Sequence, residues 1–269
     1  MNRVGMGLAM IGSAVFGALA GYLIWGIGSQ PQADAGLAAL NDADEGAVDI
    51  APTDFAVVPC RGVSDRGACV IIAAGGKRVL VGAPSGIGAK GGVDLGQGGK
   101  MGLPDAVLLF ALEARQIEGL DEIRNLIWES GTLQPVPLVG GEGIEDIGAG
   151  LDRTFTVPDA VAYVSGVRQG DFNARPLASL AVSHGDVAFD TGDLKVSALA
   201  GGAGQLAYQI EYGGAQLILA DCGVRAGDTN RWPQVEHYLG CGDAEETYGA
   251  VSAGVWPLEA PVFFLKSGG

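Results

Sequence analysis

Apolar positions fall along this chain in three textures. Residues 4–28 are continuously apolar, 25 positions without a charge and with Ser13 as the one polar aliphatic side chain. Residues 29–54 are polar and acidic, with only the short stretch AGLAALNDA able to form a helical turn or two. From Phe55 onward, apolar runs of strand length alternate with turn residues: FAVVPC, ACVIIAAGG and KRVLVGA, with Gly75-Gly76 as a hairpin signal. Residues 106–110, AVLLF, read as a fully buried strand. Over 113–130 the pattern changes to helical spacing, with Ile117, Leu120, Ile123, Leu126 and Ile127 on one face. PVPLVG is the next strand, and 143–155 a second helix with Ile144, Ile147 and Leu151 aligned.

The second half repeats the theme. Strands are expected at 160–165, 180–189 and 194–199, ahead of the clearest hairpin in the chain, LAYQIEY, Gly213-Gly214, AQLILA. Two glycines suit the primed turns that match strand twist. Helices are expected at 230–239 and 243–252, the first with Pro233 near its opening turn. Strands, helices, strands and helices again imply two βα halves, each sheet covered on one face.

The opening run decides the compartment. As a helix its 25 residues span about 37 Å, enough for a hydrocarbon core of roughly 30 Å. Ala33-Asp34-Ala35 has the form of a cleavage site, but signal cores run about 7–15 residues, so an uncleaved anchor over residues 1–30 is expected, followed by an acidic linker over 31–54. Arg3 lies before the span. Asp34, Asp42, Asp44, Glu45, Asp49 and Asp54 follow it without a Lys or Arg. The N-terminus is therefore expected in the cytoplasm and the remainder in the periplasm, a single-pass inner-membrane topology. Gly17 and Gly21, four apart, would let another membrane helix approach closely. The expected partner is an integral membrane protein complex, gripped by this helix and by the exported domain.

Composition sharpens this picture. Sixteen basic against thirty-one acidic side chains give a formal charge of -15, which excludes nucleic acid as a partner because phosphate binding rests on Lys and Arg. Hydrophobic residues are 48% and charged residues 17%, which excludes disorder over most of the length. The 46 glycines follow no Gly-X-Y period, so collagen is excluded too. Four cysteines, an even number in an oxidising compartment, suggest local pairs Cys60 with Cys69 and Cys222 with Cys241. A four-thiolate zinc site is the rival, without the usual C-x2-C spacing.

Four blocks resemble the metallo-β-lactamase-fold hydrolases, most closely the tRNase Z and arylsulfatase-like branch. They are VLVGAPSG at 79–86, AVLLFALEARQIEGLDEI at 106–123, PVPLVGGEG at 135–143 and LAYQIEYGGAQLILADCG at 206–223. The resemblance implies an αββα sandwich over 55–269, with 106–110 a central strand covered by the 113–130 helix. It also implies a metal site whose ligands have gone. Ala111 and Glu113 stand at the first two histidines of the H-x-H-x-D-H signature, Arg115 at its aspartate and Gln116 at its last histidine. Gly82 stands at the acid of L-V-D-A-G, and Gly201 or Gly202 falls near another histidine. Cys222 meets the bridging aspartate, with Asp221 one place earlier. A guanidinium cannot lose its proton to ligate a cation, so no catalytic metal and no cofactor are expected, and Glu113 and Arg115 are expected to pair with each other or with neighbours and fill the space.

Other chemistry is sparse. His184 and His237 lack a nucleophile or carboxylate at a diagnostic spacing. GAPSGIGAKGG lacks the G-K-[ST] ending of a phosphate loop and the G-x-G-x-x-G register, so it reads as a flexible loop. The expected function is a non-catalytic accessory or scaffold subunit. The alternatives are a phosphoester or ester hydrolase with a rebuilt site and a thiol-redox protein.

Overall fold

The computed structural model describes residues 50, 51, 53–60, 68–87, 103–166, 175–222, 224, 226–240, 251–255 and 262–264. The chain divides between Ala47 and Val48. The apolar run at 4–28 with Gly17 and Gly21, nearly all of the acidic linker, and Cys241 lie outside the described residues. Among the described residues no helix is long and apolar enough to cross a membrane.

Two sheets are built in chain order. Six strands come from the first half: β1 (Phe55–Pro59), β2 (Val70–Ala74), β3 (Lys77–Val81), β4 (Ala106–Leu108), β5 (Val136–Gly140) and β6 (Leu177–Ala181). The second half supplies β7 (Val187–Asp190), β8 (Leu194–Ala200), β9 (Leu206–Tyr212), β10 (Ala215–Ala220), β11 (His237–Gly240), β12 (Val251–Val255) and β13 (Val262–Phe264). One sheet has the order β13-β1-β2-β3-β4-β5-β6, the other β12-β11-β10-β9-β8-β7. Both are mixed: β1 to β3 form an antiparallel meander and β3 to β6 run parallel, while β7 to β10 are antiparallel and β10 to β12 parallel.

The sheets share one core because alternate residues of each face the other. Val57, Ile72, Val79 and Leu108 from the first meet Val196, Tyr208, Ile210 and Leu217 from the second. Each such aliphatic side chain contributes roughly 1.5–3 kcal/mol relative to exposure. The opposite parity, Ile71, Leu80, Val107 and Leu138, packs outward against helices α2 (Leu120–Glu129) and α3 (Ile144–Val164) through Leu120, Ile123, Ile127 and Ile144. The LAYQIEY hairpin forms as expected, Leu217 opposite Ile210, with Gly213 and Gly214 at φ +57° and +85°.

Five local expectations are corrected. The 113–130 helix is broken: α1 (Ala114–Ile117) precedes α2, because Gly119 leaves the helical backbone conformation (φ -94°, ψ 7°) and donates its N–H to the Ala83 carbonyl at 2.8 Å. The strand expected at 160–165 is the last part of α3, which continues through Pro158. The strand expected at 180–189 is two strands of different sheets, parted by a turn at Gly185 with φ +89°. In place of a helix over 230–239, a 3-10 turn (Ala226–Arg231) leads to β11, which pairs parallel with β10. Trp232 fixes that turn by burying its ring and donating Nε1–H to the Ala200 carbonyl, 2.8 Å. The helix expected at 243–252 has 243–250 outside the described residues, and Val251 and Ser252 open β12.

Among the described residues, the outer face of the second sheet is therefore covered by Trp232, Val224 and Val235 rather than by a helix.

Candidate functional site

The loops after β4 and β10 meet where the two sheets face each other. Two contacts tie the loop after β4 to β9, and a third ties it to the end of β10. Leu206 donates its N–H to the Phe110 carbonyl at 2.6 Å, and the Tyr208 hydroxyl donates to the Leu109 carbonyl at 2.7 Å. The third joins side chains 105 residues apart: Gln116 Nε2 donates to Asp221 Oδ2 at 3.2 Å. Gln116 is 1% exposed and Asp221 4%. Asp221 Oδ1 accepts the Cys222 N–H at 2.8 Å.

Local structure explains each position. After β4 the chain makes the single turn α1, which turns Gln116 inward; its carbonyl accepts the Ala83 N–H at 3.1 Å. In β10, Ala215, Leu217 and Leu219 face the core between the sheets, and Asp221 follows them at the same parity. Ile218 and Ala220 face outward, and Cys222 follows that parity into solvent. The residue against Gln116 is thus Asp221, not the aligned Cys222. Period-two alternation along β10 carries that information in the sequence.

The other aligned positions scatter. Glu113 and Arg115 pair with each other at 2.9 Å, but about half exposed, so they do not fill the interior. Ala111 is buried and apolar. Gly82 has φ +84°, and a Cβ there would stand 2.0 Å from the Ala68 carbonyl oxygen. The Ala68 backbone is held close by the neighbouring disulfide Cys60–Cys69, whose Cys69 Sγ lies 3.6 Å from the Gly82 carbonyl oxygen. Gly201 starts a turn that includes Gly202 and Gly204, with its N–H bonded to Gln205. His184 accepts the Ala200 N–H through Nδ1 at 3.2 Å, and the His237 ring lies 5.1 Å from Phe264; neither joins the site. Cys222 is also disulfide-bonded; its expected partner, Cys241, lies outside the described residues.

Electrostatics follow burial. Burial pushes the Tyr208 phenol well above its ordinary value, opposed by the hydrogen bond to Leu109. Burial also raises Tyr238. Among the described residues Gln116 Oε1 has no hydrogen-bond partner, and the opposite amide orientation would put that oxygen against the Asp221 carboxylate.

These residues do not fit a catalytic zinc, which takes three protein ligands and an open position. One carboxylate and one primary amide, itself a poor ligand, supply two donors. The position-82 side is closed to any side chain. Among the described residues no group of three His, Cys, Asp or Glu converges. What the arrangement does chemically is cross-link: it ties the loop after β4 to the end of β10 by a buried, charge-assisted hydrogen bond.

No family model matches the sequence, and no curated protein does. The chain is similar in structure to metallo-β-lactamase-fold proteins. One is YhfI from Bacillus subtilis, at 13% identity and TM-score 0.48, covering 75% of this chain and 78% of that one. Another is the short form of human tRNase Z, at 15% and 0.46, covering 74% and 84%. A third is zinc-bound PqqB from Methylobacterium extorquens, at 17% and 0.42, covering 71% and 65%. The likeness concerns the fold alone.

Proposed function

We propose that this chain is a degenerate metallo-β-lactamase-fold protein that hydrolyses nothing and serves as an accessory or scaffold subunit of a membrane complex. In this reading the apolar run at 4–28 anchors it and the folded part lies in the periplasm. The observation that carries the loss of chemistry is the Gln116–Asp221 hydrogen bond: the position of a metal-binding imidazole is a buried amide that spends its donor on the neighbouring carboxylate. The anchoring half is supported by 25 uncharged residues followed by an acidic linker. A scaffold needs a rigid fold rather than a labile centre, and a direct hydrogen bond supplies the cross-link without a metal.

The test has two arms. Full-length protein purified from mild detergent is expected to hold no stoichiometric zinc, manganese or iron by elemental analysis. It is also expected to show no chelator-sensitive turnover of phosphodiester or ester substrates. One or two metal ions per chain with such turnover would overturn the non-catalytic claim. Affinity purification from native membranes is expected to retain a stoichiometric integral membrane protein. Recovery of this chain alone would overturn the subunit claim.

A further inference from the structure

Strand β6 ends the first sheet, and among the described residues no strand pairs with its outer edge. Val136 donates to the Pro176 carbonyl and Val182 to the Gly140 carbonyl, so residues 176, 178, 180 and 182 bond β5 while 177, 179 and 181 point away. The Ala181 N–H confirms that direction, since it donates to Glu145 Oε1 at 3.1 Å. Among the described residues, the outward main-chain groups of Leu177 and Ser179 have no partner. The strand LASLA carries no Pro, charge or bulge of the kind that guards such edges, whereas the edge strand β7 of the other sheet has an irregularity between Val187 and Phe189.

The charges along this edge are self-complementary. Arg175 stands before the strand, 80% exposed, and its ion pair among the described residues is a long 3.8 Å contact to Asp152. Glu145 sits at the far end, on Ala181. Between α3 and β6 runs a 480 Å³ cleft lined by Glu145, Arg153, Arg175, Leu177 and Ser179 among others.

From this we infer that β6 is the docking site for a second copy of this chain, two β6 edges pairing antiparallel about a two-fold axis at Ala178. Leu177 then exchanges main-chain hydrogen bonds with Ser179 of the other copy, and the reverse, which uses the open groups and leaves the Ala181 cap in place. The same register puts each Arg175 opposite the other copy's Ala181, where Glu145 waits. An edge running in the parallel sense would instead set Arg175 against Arg175, and an unrelated strand would have no reason to match both ends. A charge of -15 on each copy opposes association at long range. At about 0.15 M salt, where the screening length is roughly 8 Å, the short-range match prevails. This pairing does not depend on whether the protein binds metal.

Register makes the test sharp. Opposed Ala178 residues form a non-hydrogen-bonded pair with Cα atoms about 4.5 Å apart, within disulfide range. Full-length Ala178→Cys in mild detergent is expected to give a covalent dimer on a non-reducing gel, lost on reduction. Lys195→Cys, exposed on β8, is expected to give none. Adding Arg175→Glu to Ala178→Cys should cut the cross-linking rate at least tenfold. Ser179→Pro, which removes an outward N–H and spares the β5 ladder, should do the same while leaving the circular dichroism spectrum unchanged. An uncross-linked Ala178→Cys protein would overturn the proposal, even if light scattering gave a doubled mass, since the membrane helix alone would explain that. Cross-linking insensitive to both Arg175→Glu and Ser179→Pro would overturn it too.

Discussion

Gly82 leaves no room for a side chain beside Ala68: a Cβ on residue 82 would stand 2.0 Å from the Ala68 carbonyl oxygen. The backbone at Gly82 also has φ +84°, where side chains are strained. Gly82→Asp is therefore expected to destabilise the fold by roughly 2–4 kcal/mol and to confer no zinc binding. Chemical denaturation with zinc titration checks both; a stable Gly82→Asp protein that binds zinc would show that the Ala68 loop yields easily.

The buried pair Gln116 and Asp221 should behave as one unit. Gln116→Leu strips Asp221 Oδ2 of its side-chain donor, and Asp221→Leu strands both Gln116 Nε2 and the Cys222 N–H. Each is expected to cost about 2–4 kcal/mol. The double variant should cost about 1–3 kcal/mol less than the sum. Additive losses in a denaturant-based double-mutant cycle would mean that the hydrogen bond holds nothing together.

How much of this was legible in the sequence depends on the range of the forces involved. The β9–β10 hairpin was legible because its turn needs two residues at positive φ and the chain offers Gly213-Gly214. The final stretch of α3 was not. AVAYVS is a short, nearly all-apolar run of strand length and follows Pro158, which costs a helix a hydrogen bond. The helix persists because Arg124 of α2 bonds Asp159 and lies over the Phe155 ring at 4.5 Å, contacts made across about thirty residues. At the site, Gln116 was visible as a substituted histidine. Motif spacing points to Cys222, one residue past Asp221, whereas strand parity along β10 points to Asp221 itself.

That Arg124–Asp159 pair gives a prediction of its own. Both side chains are largely buried, so Asp159→Ala leaves a guanidinium without its counter-charge and should cost about 3–5 kcal/mol. Replacing Arg124 by Met in the same protein should recover much of the loss. Amide hydrogen exchange is expected to rise selectively over residues 155–164 in Asp159→Ala; unchanged protection there would show that packing alone retains the helix.

Tyr208 links stability to alkaline pH. Its folded-state proton affinity is raised above the ordinary value of 10.0, so its contribution is complete below pH 10 and is lost as pH climbs beyond it. The slope reaches about 1.4 kcal/mol per pH unit for one such group. Tyr208→Phe should cost about 1–2 kcal/mol at pH 7, through the bond to Leu109, and should flatten the decline above pH 10. Equal slopes for the two proteins in pH-dependent melts would reject the assignment.

The last described strand, β13, lies beside the first, with Phe264 opposite Phe55 and Val262 opposite Val57. The first strand of the sheet therefore gains its second neighbour only when the ribosome has passed residue 264. Until then FAVVP presents an uncovered, uncharged edge while more than two hundred residues are being made. That edge is a template for misassembly in the nascent chain. The same adjacency places both ends of the folded unit side by side, so joining them and opening the chain at the Gly213-Gly214 turn would give a permuted protein in which β13 is made just before β1, and the waiting edge passes to β10, whose neighbour β9 is then made last.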